Sequence, residues 1–563
     1  MTFRIRLFVT SLLVFFVAMF AFANDIYIAQ NSAGGNTGAD CADARSVSWF
    51  NSSSNWGSGA AQIGPGTNVH LCSGTYTGSG GAPGYLTFQR SGTSGKPITL
   101  IADQGPVTIT STSWSGPVIN LAGNSYVTVN GRSSKDTANG TSANNLTIEA
   151  TLNGTSGGKC SGGSCTSQTD GGICVNNGSP NGNSSNVTIT NVNCQNLYVI
   201  SSPADNGGEN TSCFDIWNVD NGVVQNNVCT YAKWIRFSYS VGSTYPNPVL
   251  TYSGNNLSNM DHPLFITASD TSGTAVASGF YIYDNTIGSM AAWDNNDDNN
   301  HHDWIAHISA NGSTSSLTDF YIYNNKAVGD VGANANAAIF TANDGGGILS
   351  NINVFNNLAV NTSTNHCFAN GFITWSNGGS VRAVNNTFVS NTPHNGCTNN
   401  GETVPGDDAV VYEGGSTGLT FENNVVQGMA HNAIYTAGSG TSVAAINYND
   451  DYNVGGWDWM GAETTTFSTW QSDCRCDGNS ITKNPSLSSS TYVPTSGSPV
   501  ISAGLNLNAT CSGQPAIGLG ALCSDPDGNA RPSSGGWTMG AFQAGLTANV
   551  PNPPSDLQAT VSP

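Results

Sequence analysis

Short apolar stretches that end in a polar pair recur along most of the chain. They alternate β-branched or aromatic residues with small or polar ones and show no helical periodicity. The clearest examples read VVQNN, YSGNN, YIYDN, YIYNN, NVFNN, RAVNN and TFENN. Turns rich in Gly, Asn, Ser and Thr separate them. This pattern predicts many short strands joined by turns.

The spacing of the polar pairs predicts how these strands are arranged. The first residues of the pairs are Asn226, Asn255, Asp284, Asn324, Asn356, Asn385 and Asn423, so successive spacings are 29, 29, 40, 32, 29 and 38 residues. A minimum spacing that recurs, with loops inserted at particular places, is typical of a solenoid. Strands in such coils predict a parallel β-helix, whose equivalent residues stack about 4.8 Å apart. An Asn at each turn can then hydrogen-bond to the Asn of the next coil.

The composition supports an all-β fold and excludes some partners. The chain has 563 residues, 68 of them Gly, and 38% are hydrophobic. Residues that favour helices are scarce, which excludes a helical bundle. The chain has 15 Lys and Arg residues and 35 Asp and Glu residues, which gives a net charge of -20. Because nucleic-acid binding depends on basic patches, we expect no nucleic-acid partner.

Residues 1–23 predict a secretory signal peptide. Arg4 and Arg6 precede an uncharged apolar run over residues 7–20, and Ala21-Phe22-Ala23 fits a signal-peptidase site. A membrane anchor is the weaker alternative, because the run is short for a hydrocarbon core of about 30 Å. No second run of this length occurs. We therefore expect a secreted protein, extracellular or at the cell surface, with no transmembrane segment in its mature chain.

The 14 Cys residues are more economically interpreted as disulfides than as metal ligands, because an exported protein meets oxidising conditions. Cys194 and Cys229 occupy the same position in successive coils, and Cys367 and Cys397 lie 11 and 12 residues after Asn356 and Asn385, which also places them on adjacent coils. The other pairs rest on proximity in the sequence. The predicted disulfides are Cys41–Cys72, Cys160–Cys165, Cys174–Cys213, Cys194–Cys229, Cys367–Cys397 and Cys511–Cys523.

Several segments resemble a known group of proteins. The NN turns, the strands PITLIADQGPVTI and YVTVNG, and the endings GSPVISAG and DPDGNARPSSGGWTMGAFQAG are similar to those of secreted bacterial right-handed parallel β-helix proteins of the pectin-lyase-like superfamily. The last residues, NPPSDLQATVSP, resemble the start of a fibronectin type III domain. The organisation we expect is a signal peptide (1–23), an N-terminal cap with the first coils (24–115), a single-stranded right-handed parallel β-helix (116–500), a C-terminal cap (501–545) and a tail or truncated fibronectin type III start (546–563).

The expansion between Asp284 and Asn324 holds three of the eight His residues in the chain. Long insertions on a rigid scaffold often carry function. With this insertion removed, Lys233, His262 and His302 align in one column, and Asp261 and His301 align beside it. The predicted catalytic residues are Lys233, Asp261, His262, His301, His302 and Asp303, and the predicted substrate-binding residues are Arg236, His307 and Trp375.

Two reactions suit this group of residues, and the resemblance implies a polysaccharide partner for both. A polysaccharide lyase needs a base for the proton α to a uronate carboxylate and a cation that neutralises the carboxylate. A glycoside hydrolase needs two carboxylates about 5 to 9.5 Å apart, for which Asp261, Asp297, Asp298 and Asp303 are candidates. The alternative is a non-catalytic cell-surface, matrix or adhesive protein, for which a stapled rod is sufficient. The sequence does not specify an oligomeric state.

The insertion also contains a candidate calcium site. Asp294, Asn296, Asp298 and Asn300 alternate with the oxygen spacing of a calcium loop. The stretch is not an EF-hand, because it lacks the Gly and Glu which that motif requires. The candidate metal ligands are Asp294, Asp297 and Asp298, with Ca²⁺ as the candidate cofactor.

Overall fold

The computed structural model describes most of the chain between residues 25 and 544. The expected signal peptide (1–23) and tail (546–563) lie outside this part. The described residues are 25–78, 84–112, 114, 116–131, 144–151, 173–177, 183–197, 211–240, 243–245, 248–268, 275–290, 302–310, 314–332, 335–343, 346–367, 370–375, 379–399 and 402–544.

The chain forms a parallel β-helix, as the sequence predicts. Each coil contributes a strand to each of three faces, and nearly all strands pair in parallel with the equivalent strands of neighbouring coils. The right-handed sense is the one that parallel crossover connections prefer. In spatial order, face one consists of the strands Arg45–Ser46, Asp25–Ala29, Asn68–Leu71, Ile98–Ile101, Val127–Asn130, Ser184–Thr190, Val219–Gln225, Leu250–Ser253, Val276–Tyr283, Ser316–Tyr323, Ile348–Phe355, Val381–Val384, Thr417–Glu422 and Ser442–Asn447.

Faces two and three share two long strands, Val228–Ser238 and Asn256–Ala268, which run through both. Face two otherwise consists of Gly74–Thr77, Val107–Ser111, Leu146–Ala150, Val192–Gln195, Thr286–Ile287, Lys326–Gly329, Leu358–Asn361, Thr387–Ser390, Val425–Gln427 and Asp450–Tyr452. Face three otherwise consists of Leu86–Thr87, Pro117–Asn120, Ile173–Asn176, Ser212–Trp217, His302–Ala310, Ala335–Ala342, Asn370–Trp375, Asp408–Glu413, Asn432–Thr436 and Gly456–Trp459.

A few elements lie outside the parallel coils. The strand Ala462–Thr464 pairs antiparallel with Gly456–Trp459, and a hairpin joins Asn395–Asn399 to Glu402–Gly406. The short helices are Val47–Phe50, Phe467–Cys474 and Asn508–Cys511, with 3₁₀ turns at Cys41–Asp43, Ser53–Asn55 and Leu519–Cys523. Among the described residues, no helix is long and apolar enough to cross a membrane.

A ladder of buried Asn side chains joins face one to face two. Each side-chain amide donates to the Oδ1 of the next Asn at 2.9–3.1 Å. The residue before each ladder position has a positive φ, which Asn, Asp and Gly tolerate best. The ladder therefore satisfies polar groups that the tight turn buries. Its members are Asn227, Asn255, Asn285, Asn325, Asn357, Asn386, Asn424 and Asn449.

The ladder corrects the alignment of one coil. In most pairs the ladder residue is the second one, such as Asn227, but in YSGNN it is the first, Asn255, which follows Gly254. Alignment on the first residue of each pair therefore shifts that coil by one residue. The strands pair Trp234, not Lys233, with His262. The predicted column of Lys233 and His262 is wrong in this detail.

The structure confirms some of the predicted disulfides and changes others. Cys41–Cys72 and Cys511–Cys523 form as predicted, and Cys474–Cys476 is an additional bond. Cys367 is disulfide-bonded, but the Cys397 side chain lies outside the described part of the structure, as does the Cys160–Cys165 pair. Both of those pairings stay predictions.

The predicted pairs Cys194–Cys229 and Cys174–Cys213 are wrong. Cys194 and Cys229 are in register on face two, as expected. The bonds, however, run across the interior and join Cys174 to Cys194 and Cys213 to Cys229. All four side chains are fully buried. Side chains that point inward from two faces converge on each other, whereas in-register side chains on one face run parallel.

The C-terminal part of the described chain packs along the side of the β-helix. Trp470 of the α-helix Phe467–Cys474 packs on Trp459 beside the last coils. The segment 484–544, which we call the C-terminal strap, turns back over the Asn turns and hydrogen-bonds to Asn356, Asn385 and Asn423. Residues 501–544, the described part of the expected C-terminal cap, thus lie against several coils.

Candidate functional site

The long insertion after Asp284 leads into the face-three strand His302–Ala310. This strand pairs with Asn256–Ala268 before it and Ala335–Ala342 after it. The side chain of Asp303 therefore comes close to those of Asp261 and His262, which the preceding coil supplies. The expansion that drew attention in the sequence adds residues to an outer face of the β-helix.

Asp261, His262, Asp303 and His307 form a buried carboxylate–imidazole cluster. The Nδ1 atom of His262 lies 3.1 Å from Oδ2 of Asp261, and its Nε2 atom lies 3.5 Å from Oδ2 of Asp303. The same Asp303 oxygen lies 2.8 Å from Nδ1 of His307. The amide of Asn336 donates to the other Asp303 oxygen at 3.4 Å. All four members of the cluster are less than 10% exposed.

The two carboxylates control the charge of His262. Burial alone would lower the pKa of this imidazole, but Asp261 and Asp303 raise the pKa to about 10. Without a competing cation, the ring is therefore protonated at neutral pH. The cluster holds a positive charge between two carboxylates on the outer side of the β-helix.

Aromatic rings continue the cluster along face three. Trp234 stacks on Phe265 with centroids 5.6 Å apart, Phe265 lies 4.7 Å from the His307 ring, and His307 lies 4.8 Å from Phe340. Phe265, His307 and Phe340 are in register on adjacent strands. These rings form an apolar wall that restricts water near the charged groups.

Two basic side chains lie beside the cluster. The Nζ atom of Lys233 sits 4.8 Å from the centre of the Trp234 ring, and Lys233 is 5% exposed. The Arg236 guanidinium contacts both oxygens of Asp215 at 2.8 and 2.9 Å and lies over Trp217 and Trp234. The carboxylate and rings fix the orientation of this guanidinium.

A second carboxylate–imidazole group lies farther along the same face. Asp408 is in register with Asn370 of the strand before it. Its carboxylate approaches Nδ1 of His431 at 3.0 Å, and Nε2 of His431 lies 3.3 Å from Glu463. The hydrogen bond that His431 donates to Asp408 raises the pKa of His431 despite partial burial.

The structure brings together most of the predicted site residues that it describes. Lys233, Asp261, His262 and Asp303 gather with Arg236 and His307 on face three. Trp375 is on the same face, two coils beyond His307, and is 46% exposed. The His302 backbone begins the strand His302–Ala310, but its side chain lies outside the described part. His301, Asp294, Asp297 and Asp298 also lie outside it, so their predicted roles stay predictions.

The sequence analysis missed the aromatic and acidic neighbours of the cluster. Trp234 follows Lys233 directly and would have been found with the correct coil alignment. Phe265 and Phe340 carry no motif, because an isolated Phe in a strand usually belongs to the core. Asp408 and His431 are 23 residues apart and meet only through the register of two coils.

Comparisons with known proteins give distant likenesses only. No protein-family model matches the chain, and no curated protein matches it. Among solved structures, pectate lyase Pel9A gives a TM-score of 0.37 at 15% identity, over 93% of this chain and 97% of that chain. A GH136 lacto-N-biosidase from Eubacterium ramulus gives 0.35 at 10% identity, over 76% and 67%. A mannuronic acid specific polysaccharide family 6 lyase from human gut microbiota gives 0.28 at 13% identity, over 84% and 89%. At these values the likenesses carry no argument about the chemistry of this chain.

Proposed function

We propose that this protein is an exported enzyme that cleaves an acidic polysaccharide by β-elimination at face three. The observation that carries this proposal is the convergence of Lys233 and Arg236 with the carboxylate–imidazole cluster on one outer face. A non-catalytic surface or matrix protein needs no charged groups on this face, and Ser, Thr and Asn would be sufficient there. Burial of charged groups costs folding free energy, and their concentration on one outer face is typical of a reaction site.

The two basic side chains have defined parts in this proposal. Arg236 stabilises the negative charge that develops on a uronate carboxylate when the α proton leaves. Both imidazoles of the cluster lie against carboxylates, so we assign the proton acceptor to Lys233, which acts through the lone pair of its neutral amine. The α proton moves to this amine, the electron pair of the broken C–H bond forms a carbon–carbon double bond in the sugar, and the bond to the glycosidic oxygen breaks. The leaving oxygen takes a proton from water.

The remaining side chains fit binding of an extended sugar chain. Arg236 can pair with a uronate carboxylate near the reaction site, and Trp375 offers an exposed ring for sugar stacking about 10 Å farther along. Export follows from the predicted signal peptide and agrees with the disulfides. Calcium binding by Asp294, Asp297 and Asp298 stays part of this proposal as an additional means of holding uronates.

The test is a screen of purified protein against uronate-rich and neutral polysaccharides. Ultraviolet absorbance of unsaturated uronates reports β-elimination, and reducing ends without that absorbance report hydrolysis. We expect elimination with an acidic polymer, and Lys233→Met should lower kcat by on the order of 10² or more, as for the loss of an acid–base group.

A matched control comes from a second His–Asp pair. His366 contacts Asp330 at 2.8 Å beyond face two, so His366→Gln changes a similar pair away from the proposed site and should leave turnover unchanged. If reducing ends form without unsaturated uronates, the protein is a glycoside hydrolase and not a lyase. Saturable polysaccharide binding without turnover would favour a non-catalytic surface or matrix protein.

A further inference from the structure

We propose that His262, Asp303 and His307 bind a divalent transition-metal ion such as Zn²⁺ on face three. One ligand atom from each of these side chains lies within 4.8 Å of the other two. Adjacent ligands around a tetrahedral zinc ion are about 3.4 Å apart, given bonds of about 2.0–2.2 Å. The separation of 3.5 Å from Nε2 of His262 to Oδ2 of Asp303 is close to this value. Nδ1 of His307 lies 2.8 Å from the same oxygen, at hydrogen-bond distance, and would move about 0.6 Å away from it when a metal binds.

Neighbouring side chains orient the three proposed ligands. In metal sites, side chains that do not touch the metal orient the ligands in the same way. Asp261 lies against Nδ1 of His262, which places the lone pair of that ring on Nε2, the atom that faces Asp303. Asn336 donates to Oδ1 of Asp303 and so orients the carboxylate. A carboxylate behind a ligating imidazole raises its basicity and fixes its tautomer.

The charges of the cluster also suit a divalent cation. Asp261 and Asp303 are 1% and 0% exposed, and a buried carboxylate is stabilised by a cation beside it. The rings of His262 and His307 lie 5.2 Å apart, and each turns a nitrogen toward Asp303. A divalent ion at that point compensates the carboxylates.

The ligand atoms select the class of metal. Two nitrogens and one carboxylate oxygen suit zinc, cobalt or nickel, whereas Ca²⁺ and Mg²⁺ prefer six or more oxygen ligands. Phe265 and Phe340, which contact the His307 ring, make the surroundings apolar. Three protein ligands leave a further position for an oxygen donor such as a sugar carboxylate. The metal site does not depend on the proposed lyase activity, but this role for the fourth position does.

The test measures binding of metal alone to the full chain. Purified protein is stripped with a chelator, dialysed and titrated with ZnCl₂ by calorimetry, and with Co²⁺ by its visible absorption spectrum. We expect one equivalent per chain, a Kd on the order of micromolar or tighter, and the spectrum of a four- or five-coordinate nitrogen–oxygen site. CaCl₂ at the same concentration should not compete.

Variants connect the binding to these residues. His262→Gln and His307→Gln should abolish the one-equivalent site, and Asp261→Asn should weaken it about 10- to 100-fold while keeping all three ligands. His366→Gln is the matched control and should bind as the wild type does. Circular dichroism identifies variants that fail to fold. If His262→Gln and His307→Gln fail to fold, the weaker binding expected of Asp261→Asn still tests the site.

The possible outcomes are distinguishable. Absence of saturable binding at one equivalent would overturn the metal site, as would unchanged affinity in His262→Gln and His307→Gln. Equal competition by Ca²⁺ would contradict the assigned metal class. Metal binding without any elimination activity would leave this site standing and refute the proposed lyase function.

Discussion

Removal of one Asn from the buried ladder should destabilise the protein by an amount that the structure lets us work out. Asn325 lies mid-ladder and is fully buried. Its Nδ2 donates to the Ile282 carbonyl at 3.0 Å and to Asn357 Oδ1 at 2.9 Å. Its Oδ1 accepts from the backbone N–H and the Nδ2 of Asn285 at 3.2 and 2.9 Å. Asn325→Ala deletes all four hydrogen bonds.

The expected loss follows from these contacts. At about 1 kcal/mol net for each hydrogen bond, the four together contribute about 4 kcal/mol. Asn285 Nδ2 keeps a bond to the Tyr252 carbonyl, but the Asn285 backbone N–H loses its described acceptor in the interior. The penalty for leaving such a donor buried adds to this sum, so about 4 kcal/mol is the lower end of the expected loss. A loss of this size is large for a single substitution.

The assay compares unfolding in guanidinium chloride, followed by circular dichroism, with hydrogen exchange at the Asn285 amide. The control is Asn324→Gly, at the neighbouring residue with φ 56°. It removes the hydrogen bond that Oδ1 of Asn324 accepts from Nδ2 of Asn356, and it should cost about 1 kcal/mol because Gly accepts positive φ. Exchange at Asn285 should accelerate in Asn325→Ala and stay slow in the control. If Asn325→Ala costs less than about 1 kcal/mol, or no more than the control, the ladder is not the stabilising element described here.

Two further predictions concern the last coils and the disulfides. Burial raises the pKa of Asp450 to about 7, although a hydrogen bond from the backbone N–H of Lys483 opposes the shift. The ionised carboxylate therefore destabilises the fold above pH 7, and this penalty disappears as the pH falls from 7 toward 3.8. Asp450→Asn should stabilise the protein by up to about 4 kcal/mol at pH 8 and have little effect at pH 4, measured by denaturant unfolding; equal effects at both pH values would contradict this reasoning. Non-reducing peptide mapping should find Cys174 bound to Cys194, and recovery of a Cys194–Cys229 peptide would restore the pairing that coil register alone suggests.

The sequence predicts the fold well because the β-helix depends on a local signal that recurs. In most turns one Asn takes the positive φ and the Asn after it joins the ladder, so a ladder Asn marks every coil of this region. The one-residue error in the coil alignment arose at Gly254. Gly adopts positive φ as readily as Asn does, so the positive-φ residue of this turn is not part of an Asn pair, and the pair NN begins one residue later. A spacing of 29 residues in the sequence concealed a spacing of 28 between Asn227 and Asn255 in the ladder.

The candidate site is less accessible from sequence because its members come from different coils. An insertion rich in His and Asp indicates Asp303, and alignment of coils brings His262 near it. Phe340 and Asn336 come from the next coil and have no signature of their own. The disulfides show the same limit, since register identifies neighbours on one face but not which side chains meet across the interior.

The C-terminal strap changes how the solenoid comes apart. In a simple solenoid each coil contacts its neighbours alone, so coils can open from an end one at a time. Arg531 is buried and donates to Asn356, while Asn385 and Asn423 bond to other strap residues, and these three Asn belong to successive coils. A coil in this region therefore cannot open without also releasing the strap from the adjacent ones. The strap extends cooperativity beyond nearest neighbours, and a protease that cut it would convert a single unfolding event into gradual fraying.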